Sequence, residues 1–162
     1  MLSEREAYIG YALQAIDAKG RVAIPADLRG QLETNSAEKR VFVDLHEDES
    51  CLIGFDRGWV NLLRDQINAD RSFEREKDRD FDMSMARRAA LVSAEPASFD
   101  ASGRFILPAF LKDISGLGDW AFFAGALDYF EIWNPAKLLE SPRAPDRAKR
   151  LVAWHLKQKG LA

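Results

Sequence analysis

The chain has 162 residues, 47% of them apolar and 30% charged, and a formal net charge of −3. That is enough apolar material for one compact core or two small ones, and no apolar run approaches the roughly 18 residues a membrane helix needs. The acidic start, Met1 to Glu6, offers no apolar export signal, and the lone Cys51 excludes both an intrachain disulfide and a cysteine-based zinc site, which together point to a reducing cytosol.

In chain order, Tyr11–Ile16 reads as a strand, followed by the tight turn Asp17-Ala18-Lys19-Gly20-Arg21 and a second strand, Arg21–Ile24. Pro25 keeps Ile24 extended and opens a short helix, where a missing N–H costs nothing. Val41-Phe42-Val43 and Cys51–Phe55 are two apolar runs around an acidic stretch, His46 to Ser50, and read as a hairpin. Asp56 is placed to cap a helix whose apolar residues Trp59, Val60, Leu62, Leu63 and Ile67 fall at helical spacing. Asp70–Asp82 is densely charged and expected to lie exposed; Met83–Val92 returns to helical, apolar character.

The pattern then starts again. Asp100-Ala-Ser-Gly-Arg-Phe-Ile-Leu-Pro-Ala-Phe-Leu111 matches Asp17–Leu28 at seven of twelve positions, at an offset of 83. The copy continues through Ala121-Phe122-Phe123, a turn at Gly125 to Asp128, and Tyr129–Trp133. Pro25 to Phe55 spans 30 positions and Pro108 to Trp133 spans 25. The first copy therefore carries about five extra residues, either near Gln31 to Lys39 or in the hairpin turn. Each half reads as strand, tight turn, strand, short helix, strand, hairpin turn, strand, helix. Pro142 and Pro145 precede a basic helix, Asp146–Lys159, in a tail that sets Arg143, Arg147, Lys149, Arg150, Lys157 and Lys159 against Asp146 alone. Residues 1–83 hold 12 Lys and Arg against 18 Asp and Glu; residues 84–162 hold 11 against 8. An acidic protein resists phosphate overall, but this distribution permits a local basic surface.

The repeated turn has a mechanism. The Asp17 carboxylate accepts backbone N–H groups two or three residues on, Gly20 takes positive φ, and Arg21 leaves the turn on rigid backbone. Asp100, Gly103 and Arg104 repeat this. Two readings of the arginines stand side by side. One is an Asp–Arg pair that braces the turn. The other is a reach to DNA by Lys19 and Arg21, the guanidinium gripping phosphate or the acceptor edge of guanine in two places. The two are compatible, because an aspartate can orient an arginine that binds.

On D-A-K-G-R-V-A-I-P-A-D-L-R at 17–29, D-A-S-G-R-F-I-L-P-A at 100–109 and F-E-I-W-N at 130–134, the chain resembles the MraZ family of bacterial transcriptional regulators, linked to the division and cell wall gene cluster. The resemblance covers about residues 8–140. It implies an α+β fold of two tandem AbrB-like swapped-hairpin (double split β-α-β) halves forming one pseudo-two-fold unit, with connecting and C-terminal helices. Repeat one would span 8–60, a helical linker 61–92, repeat two 93–140 and a basic helix and tail 141–162. It implies a sequence-specific repressor in the cytoplasm and nucleoid. Its partners would be double-stranded promoter DNA, bound at short direct repeats, and further copies of itself in a ring. Lys19 and Arg21, and with them Ser102 and Arg104, are the implied DNA-binding residues. Asp17, Gly20, Pro25, Asp100, Gly103 and Pro108 shape the turns. The tail after Ser141 has no match in the family pattern.

No enzyme, cofactor, metal or small-molecule substrate is expected. His46 lies in an acidic loop and His155 in a basic helix, without metal-ligand spacing to each other or to Cys51, which reads as a core residue. Glu47-Asp48-Glu49 lacks the spacing of a calcium loop, and Gly116-Leu117-Gly118 is too short to cradle phosphate. Phe122, Phe123, Tyr129, Phe130 and Trp133 read as core and subunit contacts. The C-terminal helix is amphipathic; packing on the body or a neighbouring subunit is the preferred reading, with contact to DNA backbone and docking of a partner as the alternatives. The alternative function is a ring-forming interaction protein without specific DNA binding, which the acidic first half would suit.

Overall fold

A computed structural model of the chain describes residues 5–77 and 80–161. The first half contains β1 (Tyr11–Ala15), β2 (Arg21–Ala23), α1 (Ala26–Ser36), β3 (Arg40–Leu45) and β4 (Leu52–Phe55). Two helices follow, α2 (Arg57–Glu76) and α3 (Met83–Ala90). The second half repeats the series as β5 (Glu95–Ser98), β6 (Arg104–Ile106), α4 (Ala109–Ile114), β7 (Trp120–Gly125) and β8 (Phe130–Trp133). The chain closes with α5 (Pro135–Glu140) and α6 (Asp146–Gln158). No helix of the described residues is long and apolar enough to cross a membrane.

Every strand pairing is antiparallel, and most cross between the halves. β1 pairs with β7 of the second half, and reciprocally β5 pairs with β3 of the first. β4 lies against β8, completing a six-stranded sheet in the order β1-β7-β8-β4-β3-β5. β2 and β6 form a separate two-stranded ribbon. The registers are reciprocal too: Val22 faces Phe105 in the ribbon, and Ile53 faces Glu131 in the sheet.

The registers also locate the extra residues of the first half. Pro25 to Arg40 is 15 positions where Pro108 to Trp120 is 12, because α1 runs to Ser36 while α4 ends at Ile114. Leu45 to Leu52 is seven positions where Gly125 to Phe130 is five. Both of the places considered from the sequence therefore contribute, three residues in one and two in the other.

Alternation along the strands feeds two cores. Val22, Ile24, Leu28, Leu32 and Val41 of the first half interdigitate with Phe105, Leu107, Leu111, Phe123 and Phe130 of the second, all essentially buried. On the opposite sheet face, Leu13, Cys51, Phe122 and Trp133 are covered by Leu138 of α5 and Val152 of α6. The C-terminal helix therefore packs on the body, as its amphipathicity suggests. Phe122, Phe123, Phe130 and Trp133 are buried and Tyr129 is half-buried.

Asp56 caps α2, accepting the Trp59 N–H at 3.1 Å. It also takes the Tyr8 hydroxyl at 2.6 Å and the Arg5 guanidinium at 2.7 Å, which pins the N-terminal segment to the fold. Burial and the hydrogen bond to Asp56 push the Tyr8 hydroxyl well above the usual phenol range. The charged stretch 70–76 is largely exposed but helical, because Arg, Glu and Asp there include good helix formers and no Gly or Pro stops α2 before Glu76. Neither α2 nor α3 contains a buried residue.

Candidate nucleic-acid interface

The two D-A-x-G-R turns have one geometry. Asp17 Oδ1 accepts the backbone N–H groups of Lys19 and Arg21, both at 2.9 Å. Gly20 N–H donates to the Asp17 carbonyl at 2.9 Å, so the carboxylate bonds two and four residues on, with the three-residue bond left to the backbone. Asp100 repeats the pattern with the Ser102 and Arg104 N–H groups at 2.9 and 3.0 Å. Gly20 and Gly103 sit at φ of +81° and +83°, which side chains with a Cβ resist. The bracing pair is present in both turns: Arg21 Nε to Asp17 Oδ2 at 2.7 Å, and Arg104 Nε to Asp100 Oδ2 at 3.0 Å. The backbone N–H and then the side chain of Arg21 hold the Asp17 carboxyl below its ordinary range, and those of Arg104 do so for Asp100.

These bonds use Nε and leave the terminal guanidinium nitrogens without a protein partner among the described residues. Both arginines are about half exposed, at 43% and 54% of the side chain. The ribbon explains why. Val22 and Phe105 point into the core, so Arg21, Ala23, Arg104 and Ile106 alternate to the outer face. Arg21 stands opposite Ile106, and Arg104 opposite Ala23. The turns close the ribbon at its ends: Ile24 N–H donates to Gly103 O, and Leu107 N–H to Gly20 O, both at 2.9 Å. Lys19 and Ser102 lie exposed on the turns themselves. Pro25 and Pro108 cap α1 and α4 directly behind. The structure thus brings Asp17, Lys19, Gly20, Arg21 and Pro25 together with Ser102, Asp100, Gly103, Arg104 and Pro108 on one ribbon.

Arg29 is a residue the sequence reading passed over. Its Nη1 donates to the Ser102 carbonyl at 2.7 Å and to the Ile24 carbonyl at 3.1 Å, clasping the second turn from the first half. A Cβ on Gly103 would fall onto that guanidinium and within 2.9 Å of the Ile24 carbonyl. The equivalent residue, Lys112, packs alongside Gly20 with its Cδ 3.9 Å from where a Cβ would be. The signal was available: Arg29 and Lys112 are a basic pair at the repeat offset of 83.

The other candidates have structural roles. Cys51 is buried, and burial pushes its thiol far above the reactive range. His46 Nδ1 accepts the amides of Asp48 and Glu49 at 2.9 and 3.1 Å and shapes the hairpin tip. His155 stacks edge-on against Tyr11 and Phe122. Among the described residues no three His, Cys, Asp or Glu side chains gather where a metal could sit.

No family model matches the chain. Individual relatives do. It is 32% identical over 150 residues to the transcriptional regulator MraZ of Roseiflexus castenholzii, covering 92% of this chain and 96% of that one. It is 33% identical over 144 residues to the protein of the same name from Gluconacetobacter diazotrophicus, covering 88% and 87%. The one from Rhizobium rhizogenes is 30% identical over 147 residues, covering 90% and 94%. These relatives are named as transcriptional regulators and not as enzymes.

Proposed function

The chain belongs to the MraZ family, and from that premise we propose that it is a cytoplasmic, nucleoid-associated transcription factor that represses the division and cell wall gene cluster. Its two AbrB-like swapped-hairpin halves form one DNA-binding unit, and the reciprocal pairing of β1 with β7 and of β5 with β3 supports that reading. The observation that carries the proposal is the β2–β6 ribbon. It presents Arg21 and Arg104 on one exposed face, each oriented by an aspartate, with Lys19 and Ser102 at its two ends. A two-stranded ribbon fits the major groove of B-DNA, and an arginine fork matches the O6 and N7 acceptors of guanine.

One ribbon is a small contact. A cyclic homo-oligomer offers the same ribbon once per subunit, and several on one duplex bind tightly because each later contact is effectively intramolecular. Neighbours related by rotation in one sense ask for short boxes in direct repeat, about one helical turn of roughly 10 bp apart. The test is selection of bound sites from a random duplex pool, followed by insertion of about 5 bp between two recovered boxes, which turns one to the opposite face. Recurrent boxes and a large loss on insertion are expected. Unchanged affinity after insertion refutes multivalent binding, and failure to enrich any sequence refutes specific recognition.

A further inference from the structure

The two motif turns are flanked by different side chains. Beside the Asp100 turn, Phe99 N–H donates to the Lys39 carbonyl at 3.1 Å and Ser98 pairs with Arg40. Exposed Lys39 and half-buried Arg40 therefore stand next to that turn. At the equivalent places beside the Asp17 turn, Ile16 N–H donates to the Asp119 carbonyl at 2.8 Å and Ala15 pairs with Trp120. The sheet offers an acid and an indole there, where the other end offers two cations.

Helix α6 makes up the difference. It runs along β1 in the same direction, since His155 meets the Tyr11 ring at 5.4 Å and Lys159 Nζ lies 5.9 Å from the Trp120 ring. Its C-terminal end thus arrives at the end of β1 that leads into the Asp17 turn. From Ala15 to Lys19 is at most about 14 Å of extended chain, well inside the roughly 34 Å of one duplex turn. Among the described residues Lys157 and Lys159 meet no carboxylate, and both are exposed. Lysines also complement the dipole of a helix C-terminus, but that role does not require Lys159 to lie over the Trp120 ring beside the turn.

We infer that Lys157 and Lys159 of α6 bind the DNA phosphate backbone beside the Asp17 turn, as the counterpart of Lys39 and Arg40 beside the Asp100 turn. This rests on the reading of the ribbon as the DNA face. Lysine suits the task, being a point charge that grips phosphate without reading bases. It also gives the unmatched tail of an acidic chain a local electrostatic function.

The experiment compares the full-length wild type with K157Q/K159Q and R147Q/R150Q on a duplex of about three helical turns carrying the recovered boxes. The second variant removes the same charge from the distant part of α6. Glutamine keeps helix propensity, and far-UV circular dichroism and assembly size verify the fold. Each lost phosphate contact should reduce the slope of log K against log salt by about 0.9, so K157Q/K159Q should lose about 1.8 per bound subunit. A fourfold rise in salt should then cost it roughly tenfold less affinity than wild type. Base preference should not change, and R147Q/R150Q should keep the wild-type slope. If the double variant loses helix, K159Q alone is measured and should lose half as much. An unchanged slope in a folded lysine variant, an equal loss in R147Q/R150Q, or a changed base preference overturns this inference while leaving the ribbon reading intact. Wild-type protein that binds no duplex takes both down.

Discussion

Cutting the chain after residue 83 tests the interleaved fold most directly. Among the described residues, β1 and β2 of the first half find their only strand partners, β7 and β6, in the second. Alone, residues 1–83 retain just the hairpin register from Phe42 opposite Phe55 to Leu45 opposite Leu52. Val22, Ile24, Leu28, Leu32 and Val41 are no more than 1% exposed, in a core they share with Phe105, Leu107, Leu111 and Phe123. Re-exposing a fully buried side chain of this size costs about 1.5–3 kcal/mol. Uncovering even half of these five costs about 5 kcal/mol, comparable to the whole stability of a small domain. The fragment should therefore be unfolded as a monomer. It should gain structure only at high concentration, where a dimer sets Val22 against Val22 and Ile53 against Ile53, or on mixing with residues 84–162. Far-UV circular dichroism in urea, with sedimentation equilibrium at several concentrations, distinguishes these states. A cooperative, dispersed monomer of residues 1–83 would refute the reasoning.

Three further outcomes follow from the turns. Gly103→Ala should destabilise more than Gly20→Ala: both pay about 1–2 kcal/mol for a left-handed backbone, but only the former collides with Arg29 and the Ile24 carbonyl; thermal melts of the two variants decide it. The Asp17 and Asp100 carboxyls are held below their ordinary value of 3.8, so their bracing is fully present above that pH and is lost as pH falls through the depressed values. The urea midpoint of D17N/D100N should accordingly fall less steeply below about pH 4 than that of the wild type, and parallel curves would show that the turns add nothing. Arg21→Ala should weaken operator binding by about 1–3 kcal/mol and more than Arg104→Ala, since the first turn itself carries Lys19 where the second carries Ser102; equal losses at wild-type assembly size would mean the two ends read DNA alike.

Local chemistry was legible in the sequence and pairing was not. Gly20 and Gly103 declare turns because few residues tolerate φ near +80°, and the offset of 83 declares a duplication. Asp56 announced its helix because a carboxylate before Trp59 has one obvious use. Periodicity, however, says which face of β1 is apolar and not which strand lies beside it; the partner is 105 positions away at Ala15 opposite Trp120, and only the folded register gives it. The basic pair at the repeat offset marks Arg29, but its contact with Ser102 spans 73 positions and is set by the folded register. Charge density at 70–76 announces exposure, which the structure shows, but it does not say where a helix stops; α2 runs on to Glu76.

Duplication gives the ribbon a two-fold backbone, and the side chains then break it. Equivalent positions carry Lys19 and Ser102, Arg29 and Lys112, and Asp119-Trp120 and Lys39-Arg40. A ribbon with two identical ends would read a palindrome within each box, because both arginines would meet the same base pattern in opposite senses. Unequal ends would give a box a direction, as the proposed direct repeats require. Lys19 and Ser102 are exposed on turns of one backbone geometry, so exchanging them as K19S/S102K should leave the fold unchanged. The exchange conserves the number of cations on the ribbon, so the salt slope should also stay. The preferred direction of the box relative to the ring should reverse, at a discrimination of about 1–3 kcal/mol for a misread base. Site selection with wild type and variant, each crosslinked to a duplex labelled at one end, reads that direction. Palindromic boxes from the wild type, or an unreversed direction in the variant, would show that Lys19 does not set the polarity of the site.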